Sequence, residues 1–225
     1  MPMYLIFALV GLVAVVLLVR SIAVQRQRTQ ARKAALEQLG FRPCPEQKGW
    51  LEETVASIEN NRGFRYEVRE PRRLAGEQAI YYYVKKRHSD EERVPMVEEE
   101  ILFPLKRPTK GSLALTVKPS SLAPGLATRM MGAVATGPWD AQPDDLQRLD
   151  LPPDLKDTNL VGAMGPPGAK LYELVDASTL SVVQGLGDAG GLFVRFRDSW
   201  CSVSSTGWEI PFRLDEIVAR IRPLL

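Results

Sequence analysis

Few residues in this chain suit the chemistry of the common hydrolases. His88 is the single histidine among 225 residues, and it lies in the polar stretch Lys-Lys-Arg-His-Ser-Asp-Glu-Glu, which we expect to be a hairpin loop. Serine and cysteine hydrolases would need this histidine as their base. The sequence has no G-x-S-x-G motif, and neither Cys44 nor Cys201 lies in a recognised nucleophile context. We therefore predict no catalytic residues.

The carboxylates are the next candidates for a reactive site. Glu98 and Glu100 would share one face of a strand, because side chains alternate along it. A carboxylate pair or a hard-cation site would suit these two residues, or the acidic positions Asp140, Asp144 and Asp145. We expect instead a solvated sheet face and an exposed loop. The two cysteines are isolated and no C-x-x-C occurs, so we predict no metal site.

A glycine pattern resembles a nucleotide-binding motif. Gly185, Gly187 and Gly190 match the fingerprint G-x-G-x-x-G. That fingerprint requires a strand before it and a helix after it, so that backbone amides point at a pyrophosphate. Here the predicted order is a helix followed by a strand. We therefore interpret the glycines as a helix-to-strand turn and predict no cofactor.

Basic residues and tyrosines cluster between positions 62 and 87. A surface for an anionic partner, either lipid or nucleic acid, would use Arg69, Arg72, Arg73, Lys85, Lys86 and Arg87. Residues 88–100 carry six acids and one base, so we prefer the interpretation that the two segments pair their charges across a hairpin.

The elements that must position these residues predict an α+β fold, with an antiparallel sheet packed with helices. Apolar spacing predicts a helix from Pro45 to Asn60, followed by four strands in an antiparallel meander at 64–69, 80–84, 97–105 and 113–118. The last third predicts a strand at 160–164, a helix at 170–184, and strands at 192–197 and 200–204. An amphipathic helix from Leu214 to Leu224 ends the chain.

Composition predicts five regions. They are a transmembrane anchor (1–24), a basic helical stalk (25–40), an α+β subdomain (41–118), a Pro-rich linker (119–158) and a strand-helix-strand-strand-helix subdomain (159–225). The sequence leaves open whether the two α+β halves form one sheet or two.

The predicted anchor is the uncharged run from Met3 to Val19. As a helix it would span about 25 Å, and continuation to Val24 brings it close to the ~30 Å hydrocarbon core. Ser21-Ile22-Ala23 resembles a signal-peptidase site. However, no Lys or Arg precedes the run, and the run is longer than a signal-peptide core, so we favour a retained anchor.

Positive charge follows the anchor directly, at Arg20, Arg26, Arg28, Arg32 and Lys33. This bias predicts a cytoplasmic C-terminal domain, an outer N-terminus and reduced cysteines, in a single-pass protein of the bacterial inner membrane. Removing these five from the 29 basic residues leaves 24, against 27 acidic residues. The remainder is slightly acidic, which argues against nucleic acid as a partner. The lipid bilayer is the simpler partner for the basic residues that follow the anchor.

The layout resembles that of uncharacterised bacterial single-pass membrane-anchored proteins with a cytoplasmic α+β domain. The shared features are the anchor, a basic stalk ending in Leu39-Gly40-Phe41, a strand-rich domain and a terminal strand-strand-helix unit. The resemblance is one of arrangement and implies no activity or binding residue.

From these observations we expect a membrane-tethered cytoplasmic protein that acts as a non-enzymatic interaction or scaffolding module with a protein partner. The alternatives are an enzyme with an unfamiliar carboxylate or metal-dependent site, and an anionic-lipid sensor.

Overall fold

The computed structural model describes residues 19–20, 23, 26–27, 29–89, 95–121, 145–155, 158–205 and 213–224. The chain divides into two compact units, Met1–Arg42 and Pro43–Leu225. Within the first unit, residues 29–38 form helix α1. The chain leaves this helix at Gly40, whose φ of 88° is the left-handed conformation that favours glycine after a helix end.

The predicted anchor lies outside the described residues, apart from Val19. Among the helices of the described residues, none has both the length and the apolar content needed to cross a bilayer.

The second unit begins with the predicted amphipathic helix. A 3-10 turn at Pro45–Gln47 leads into helix α2 (Lys48–Glu59). Leu51, Val55 and Ile58 are buried along one side of α2, which confirms the helix that apolar spacing predicted here. The helix ends at Asn60, whose left-handed backbone and N–H bond to the Ala56 carbonyl close the last turn.

The described residues form nine strands; seven correspond to predicted strands, and the first and the sixth, both short, were not predicted. The nine strands are β1 (Phe41–Pro43), β2 (Phe64–Leu74), β3 (Ile80–His88), β4 (Met96–Pro104), β5 (Leu113–Val117), β6 (Gln147–Arg148), β7 (Leu160–Gly165), β8 (Leu192–Arg197) and β9 (Trp200–Ser205). Strand β3 continues through Lys86 to His88, where the sequence predicted a loop.

Strands β2 to β9 lie in one sheet in the order β2-β3-β4-β9-β8-β5-β7-β6, and the pairs are antiparallel. The antiparallel α+β class is therefore confirmed. The four-strand meander is wrong, because β4 pairs with β9 and β5 lies between β8 and β7. Strands from both predicted halves thus belong to a single sheet.

The helix predicted at 170–184 is two helices, α3 (Leu171–Leu174) and α4 (Ala177–Gly185). Val175 is extended, and the Asp176 carboxylate then accepts a hydrogen bond from the Thr179 N–H, so a new helix begins there. Helix α5 (Leu214–Ile221) buries Leu214, Ile217, Val218 and Ile221, which confirms the terminal amphipathic helix.

Helix α2 packs on one face of the sheet, which we call the helix-covered face. Leu51, Val55 and Ile58 form a core there with apolar side chains of β2, β3 and β4: Val68, Ile80, Tyr82, Val84 and Leu102. Trp200 of β9 packs against this core and makes an edge contact with Trp50 of α2, with ring centroids 5.1 Å apart. The side chains that alternate with these strand residues point to the opposite face.

The glycine-rich turn at 185–190 is a packing element. It joins α4 to β8 through a 3-10 turn at Leu186–Ala189, so the helix precedes the strand as predicted. A Cβ at Gly187 would lie 2.5 Å from Asn159 Nδ2 and 2.8 Å from the Lys118 carbonyl oxygen. Gly187 therefore allows a close approach of two chain segments, and this accounts for the glycine without a nucleotide.

Gly187→Ala should lower the free energy of unfolding by about 2 kcal/mol, because overpacking against a backbone oxygen is not relieved by side-chain rotation. Thermal unfolding should show a fall in Tm of about 5 °C. Gly49→Ala in α2 is the control, since a Cβ there meets no atom within 4 Å. It should leave Tm unchanged or raise it slightly. Equal effects of the two substitutions would contradict this packing role.

Candidate functional site

Strand β3 separates the predicted basic cluster onto two faces of the sheet. Tyr82, Val84 and Lys86 point to the helix-covered face, whereas Lys85 and Arg87 point to the opposite face. The side chain of Lys86 is 1% exposed, so the expectation that it lies on a surface for an anionic partner is wrong. Arg73 also leaves that surface, because a register shift between Arg69 and Arg72 pairs it with Ile80.

Lys86 is the centre of a buried charge cluster, which consists of Glu59, Lys86, Glu98, Glu100 and Arg195. Its ammonium donates to Glu59 Oε1 at 2.8 Å and to Glu98 Oε2 at 2.8 Å, and it lies 3.6 Å from Glu100 Oε1. Glu59 is the last residue of α2, while Glu98 and Glu100 lie on β4. One cation therefore links the helix to two strands.

Arg195 of β8 is the second cation of the cluster. Its Nη1 lies 3.3 Å from Glu59 Oε1 and donates to Ser204 Oγ of β9 at 3.0 Å. Glu59 Oε1 therefore lies beside two cations, Lys86 of β3 and Arg195 of β8. Glu59 Oε2 has no hydrogen-bond partner among the described residues. This carboxylate is the point at which both cations meet.

Glu100 differs from the other two carboxylates. Its Oε2 accepts a hydrogen bond from the buried Tyr82 hydroxyl at 2.8 Å, while its Oε1 has no hydrogen-bond partner within the described part of the chain. Burial raises the pKa of Glu100 above its ordinary value; Lys86 opposes the rise, and Glu59 adds to it.

Neighbouring charges favour the ordinary charge states of Glu59, Lys86 and Tyr82. Burial disfavours ionisation of Glu59, but Arg195 and Lys86 together lower its pKa. Burial likewise opposes the charge on Lys86, but Glu59 and Glu98 raise its pKa. The pKa of Tyr82 is raised well above its usual range by burial and then by Glu100, so this hydroxyl stays a neutral donor.

The expected solvated face at Glu98 and Glu100 is wrong. Glu100 is 1% exposed and the Glu98 side chain 22%, and both face Lys86 rather than water. Their shared face is confirmed. Within the residues that the structure describes, no group of three or more His, Cys, Asp or Glu side chains is placed to hold a metal ion. Chemically, the cluster can stabilise buried charge and hold a proton on Glu100.

The opposite face carries the remaining basic residues of the hairpin. We call them the basic surface: Arg65, Arg69 and Arg72 of β2 with Lys85 and Arg87 of β3. Glu67 lies among them and pairs with Arg69 at 2.9 Å and with Arg87 at 3.4 Å. Lys86 therefore pairs with acids of β4 across the hairpin, as predicted. Arg69 and Arg87 pair instead with Glu67, which lies on β2.

His88 and the cysteines take structural positions. His88 ends β3, and its ring packs edge-on against Phe64 with centroids 5.1 Å apart, so its placement in a loop is corrected. Cys44 and Cys201 are buried and free, as predicted. Burial raises the pKa of both thiols.

Other predicted residues have simpler outcomes. Arg20, Arg26 and Lys33 of the membrane-proximal set are exposed and Arg32 is half-buried, while Arg28 lies outside the described residues. Asp140 and Asp144 also lie outside them. Asp145 pairs with Arg197 Nη2 at 3.3 Å.

Sequence reasoning missed Glu59 and Arg195 as members of the cluster. Glu59 follows Val55 and Ile58 by four and one positions, so the helical period placed it at the edge of the buried stripe. Arg195 alternates within an otherwise apolar strand, as Leu-Phe-Val-Arg-Phe-Arg. Neither signal identifies a partner, because the contacts join elements far apart in sequence.

Comparisons with known proteins add no relative. The chain matches no protein-family model, no curated protein and no solved structure.

Lys86→Met should lower the free energy of unfolding by about 3–5 kcal/mol, because Glu59 and Glu98 would lose their shared buried cation. Lys85→Met is the matched control, since it removes the neighbouring lysine from the opposite face. It should change stability by no more than about 0.5 kcal/mol. Urea unfolding of the two variants measures the difference, and similar losses would contradict the burial of Lys86.

Replacing Glu100 and replacing Glu59 should change the pH dependence of stability in opposite directions. The raised folded-state pKa of Glu100 contributes stability below the unfolded value of about 4.3, and that contribution is lost as the pH rises. Since Gln cannot ionise, the Tm of Glu100→Gln relative to wild type should rise between about pH 4 and 7.

Glu59→Gln should show the opposite trend. The lowered pKa of Glu59 contributes stability above the unfolded pKa, and this contribution is lost as the pH falls. The Tm of Glu59→Gln relative to wild type should therefore fall as the pH rises from about 3. Parallel pH profiles for the two variants, measured by thermal unfolding, would refute the assigned charge states.

Proposed function

We propose that this protein is a membrane-tethered cytoplasmic interaction or scaffolding module without enzymatic activity. The observation that carries the proposal is the uncharged run from Met3 to Val19, followed by the five basic residues of the stalk. An apolar segment of this length favours insertion, and the excess of Lys and Arg after it favours a cytoplasmic C-terminal domain. The bacterial inner membrane is the proposed location.

The internal pairing of the buried charge cluster supports a non-enzymatic role. Its three carboxylates face Lys86, Arg195 or Tyr82, and these partners come from the same chain. A network whose acids and bases pair with one another fixes α2 on the sheet rather than offering these charges to a substrate. Recognition would then use the outer surface, where Trp50, Val97 and Tyr172 are large apolar side chains left exposed.

An enzyme with a carboxylate site is the second candidate, and Glu100 is the observation that favours it. Its raised pKa and the neighbouring, partly exposed Glu98 are features that a proton-transfer site also has. Crosslinking of the full-length protein in its native membrane separates the two roles. A module should give the same crosslinked partner in wild type and Glu98→Gln, whereas an enzyme need not form a stable partner complex.

Membrane placement can be tested directly. The full-length protein should stay in the membrane pellet after carbonate extraction, and protease added to right-side-out vesicles should leave residues 43–225 intact. Inverted vesicles should allow cleavage of exposed loops, and detergent should allow it in both preparations. Recovery of a soluble chain that begins near Val24, or digestion from the outside, would contradict the proposal.

Replacing the five membrane-proximal basic residues with Gln is the matched test of orientation, because those charges dominate the bias. We expect a fraction of the variant to insert with its C-terminal domain outside. Five Gln replacements at exposed Arg and Lys residues beyond position 43 should leave the orientation unchanged. An unaltered orientation in the first variant would show that this charge bias does not decide it.

A further inference from the structure

We propose that the basic surface on β2 and β3 rests against anionic lipid headgroups of the membrane that holds the chain. This inference depends on the proposed tethering and adds a second, reversible contact with the same bilayer. Its basis is the sorting of charge by strand register, which separates Lys85 and Arg87 from the buried Lys86.

The basic surface has an excess of positive charge. The register places five cations on it, and the acids that the register places on the same face of β2 and β4 are Glu67 and Glu99. The exposed Glu70 lies in the irregularity of β2 between Arg69 and Arg72. Glu67 pairs with Arg69 and Arg87. The hydrogen bond from Arg69 and the nearby charge of Arg87 lower the pKa of Glu67. Glu67 is therefore ionised near neutral pH, and its ion pairs with both arginines are kept. Arg65 and Lys85 have no carboxylate within ion-pair distance among the described residues.

The shape of the surface suits a bilayer better than a small anion. Arg65 and Arg87 face each other across β2 and β3, and Glu67 faces Lys85, so the cations follow the two strands rather than surrounding a pocket. Val97 of β4 is opposite Lys85 on this face and is 57% exposed. Exposed apolar side chains beside Lys and Arg are typical of surfaces that lie at lipid headgroups.

Because the proposed anchor already holds the chain at the bilayer, a weak attraction between the basic surface and anionic lipid is enough to bring them into contact. About twenty residues of chain separate Arg20 from strand β1. The unit that follows is therefore confined near the membrane, which gives its surface a high effective concentration of lipid. Each Lys or Arg near an anionic surface increases association by about fivefold, so the excess charge is enough for a tethered domain.

Lysine reactivity in nanodiscs tests the contact. The full-length protein is placed in nanodiscs of phosphatidylcholine alone or with about one third phosphatidylglycerol, and acetylation is followed by mass spectrometry. Lys85 should react about fivefold more slowly in the anionic discs, and 0.5 M salt should remove the difference. Lys48 is the internal control, because its side chain is 50% exposed on α2, beyond the other face of the sheet.

A charge variant identifies the surface responsible. Arg65→Gln with Arg69→Gln and Arg87→Gln should abolish the protection of Lys85. The same net change made at other exposed positions, Arg107, Arg148 and Arg222, should preserve it. Equal reactivity of Lys85 in both lipids would overturn the inference. Protection found in native membranes but in neither nanodisc would also overturn it, since a protein would then cover the surface.

The two proposals fail in different ways. If the anchor is absent, the protein does not enter nanodiscs of either composition and no labelling comparison arises. If the anchor is present and the basic surface does not meet lipid, the protein enters both discs and Lys85 reacts equally in them.

Discussion

The ammonium of Lys86 is the constraint on which this arrangement depends. A buried cation is expensive unless several acceptors surround it, and these acceptors come from the end of α2 and from β4. Arg195 extends the same network to β8 and β9 through Glu59 and Ser204. One group of charges thus fixes the helix against strands that are distant in sequence.

The same constraint fixes the register of β3. A slip by one residue would move Lys86, together with Tyr82 and Val84, to the opposite face, and would break the ion pairs and core contacts that these side chains make under α2. The alternation along β3 therefore produces both a neutralised interior and a positive exterior. The proposed contact with lipid headgroups would use this exterior.

Local patterns in the sequence predicted most elements. Apolar spacing predicted α2 and α5, and the strands predicted at 192–197 and 200–204 correspond to β8 and β9. The order of strands could not be predicted, because β4 meets β9 only after about a hundred residues of intervening chain. The break between α3 and α4 carried a local signal, an Asp that caps the second helix, but apolar periodicity concealed it.

The candidate site was predicted in its parts and not in its assembly. The shared face of Glu98 and Glu100 follows from strand period alone. The burial of Lys86 was also implied by its period with Tyr82 and Val84, but the run Lys-Lys-Arg-His reads as a polar loop. A run of charged residues does not show which side chains face the core of a strand, because each residue in the run is hydrophilic. Only the helix above β3 decides which cations become buried.

A double-mutant cycle between Glu59 and Lys86 tests this account most directly. Glu59→Gln, Lys86→Met and the double variant are unfolded in urea as full-length proteins in detergent. Because each single variant leaves a buried charge without one of its partners, the double variant should be about 1–3 kcal/mol more stable than the sum of the single losses predicts. Additive losses would show that the two charges do not depend on each other and would contradict the central role of the cluster.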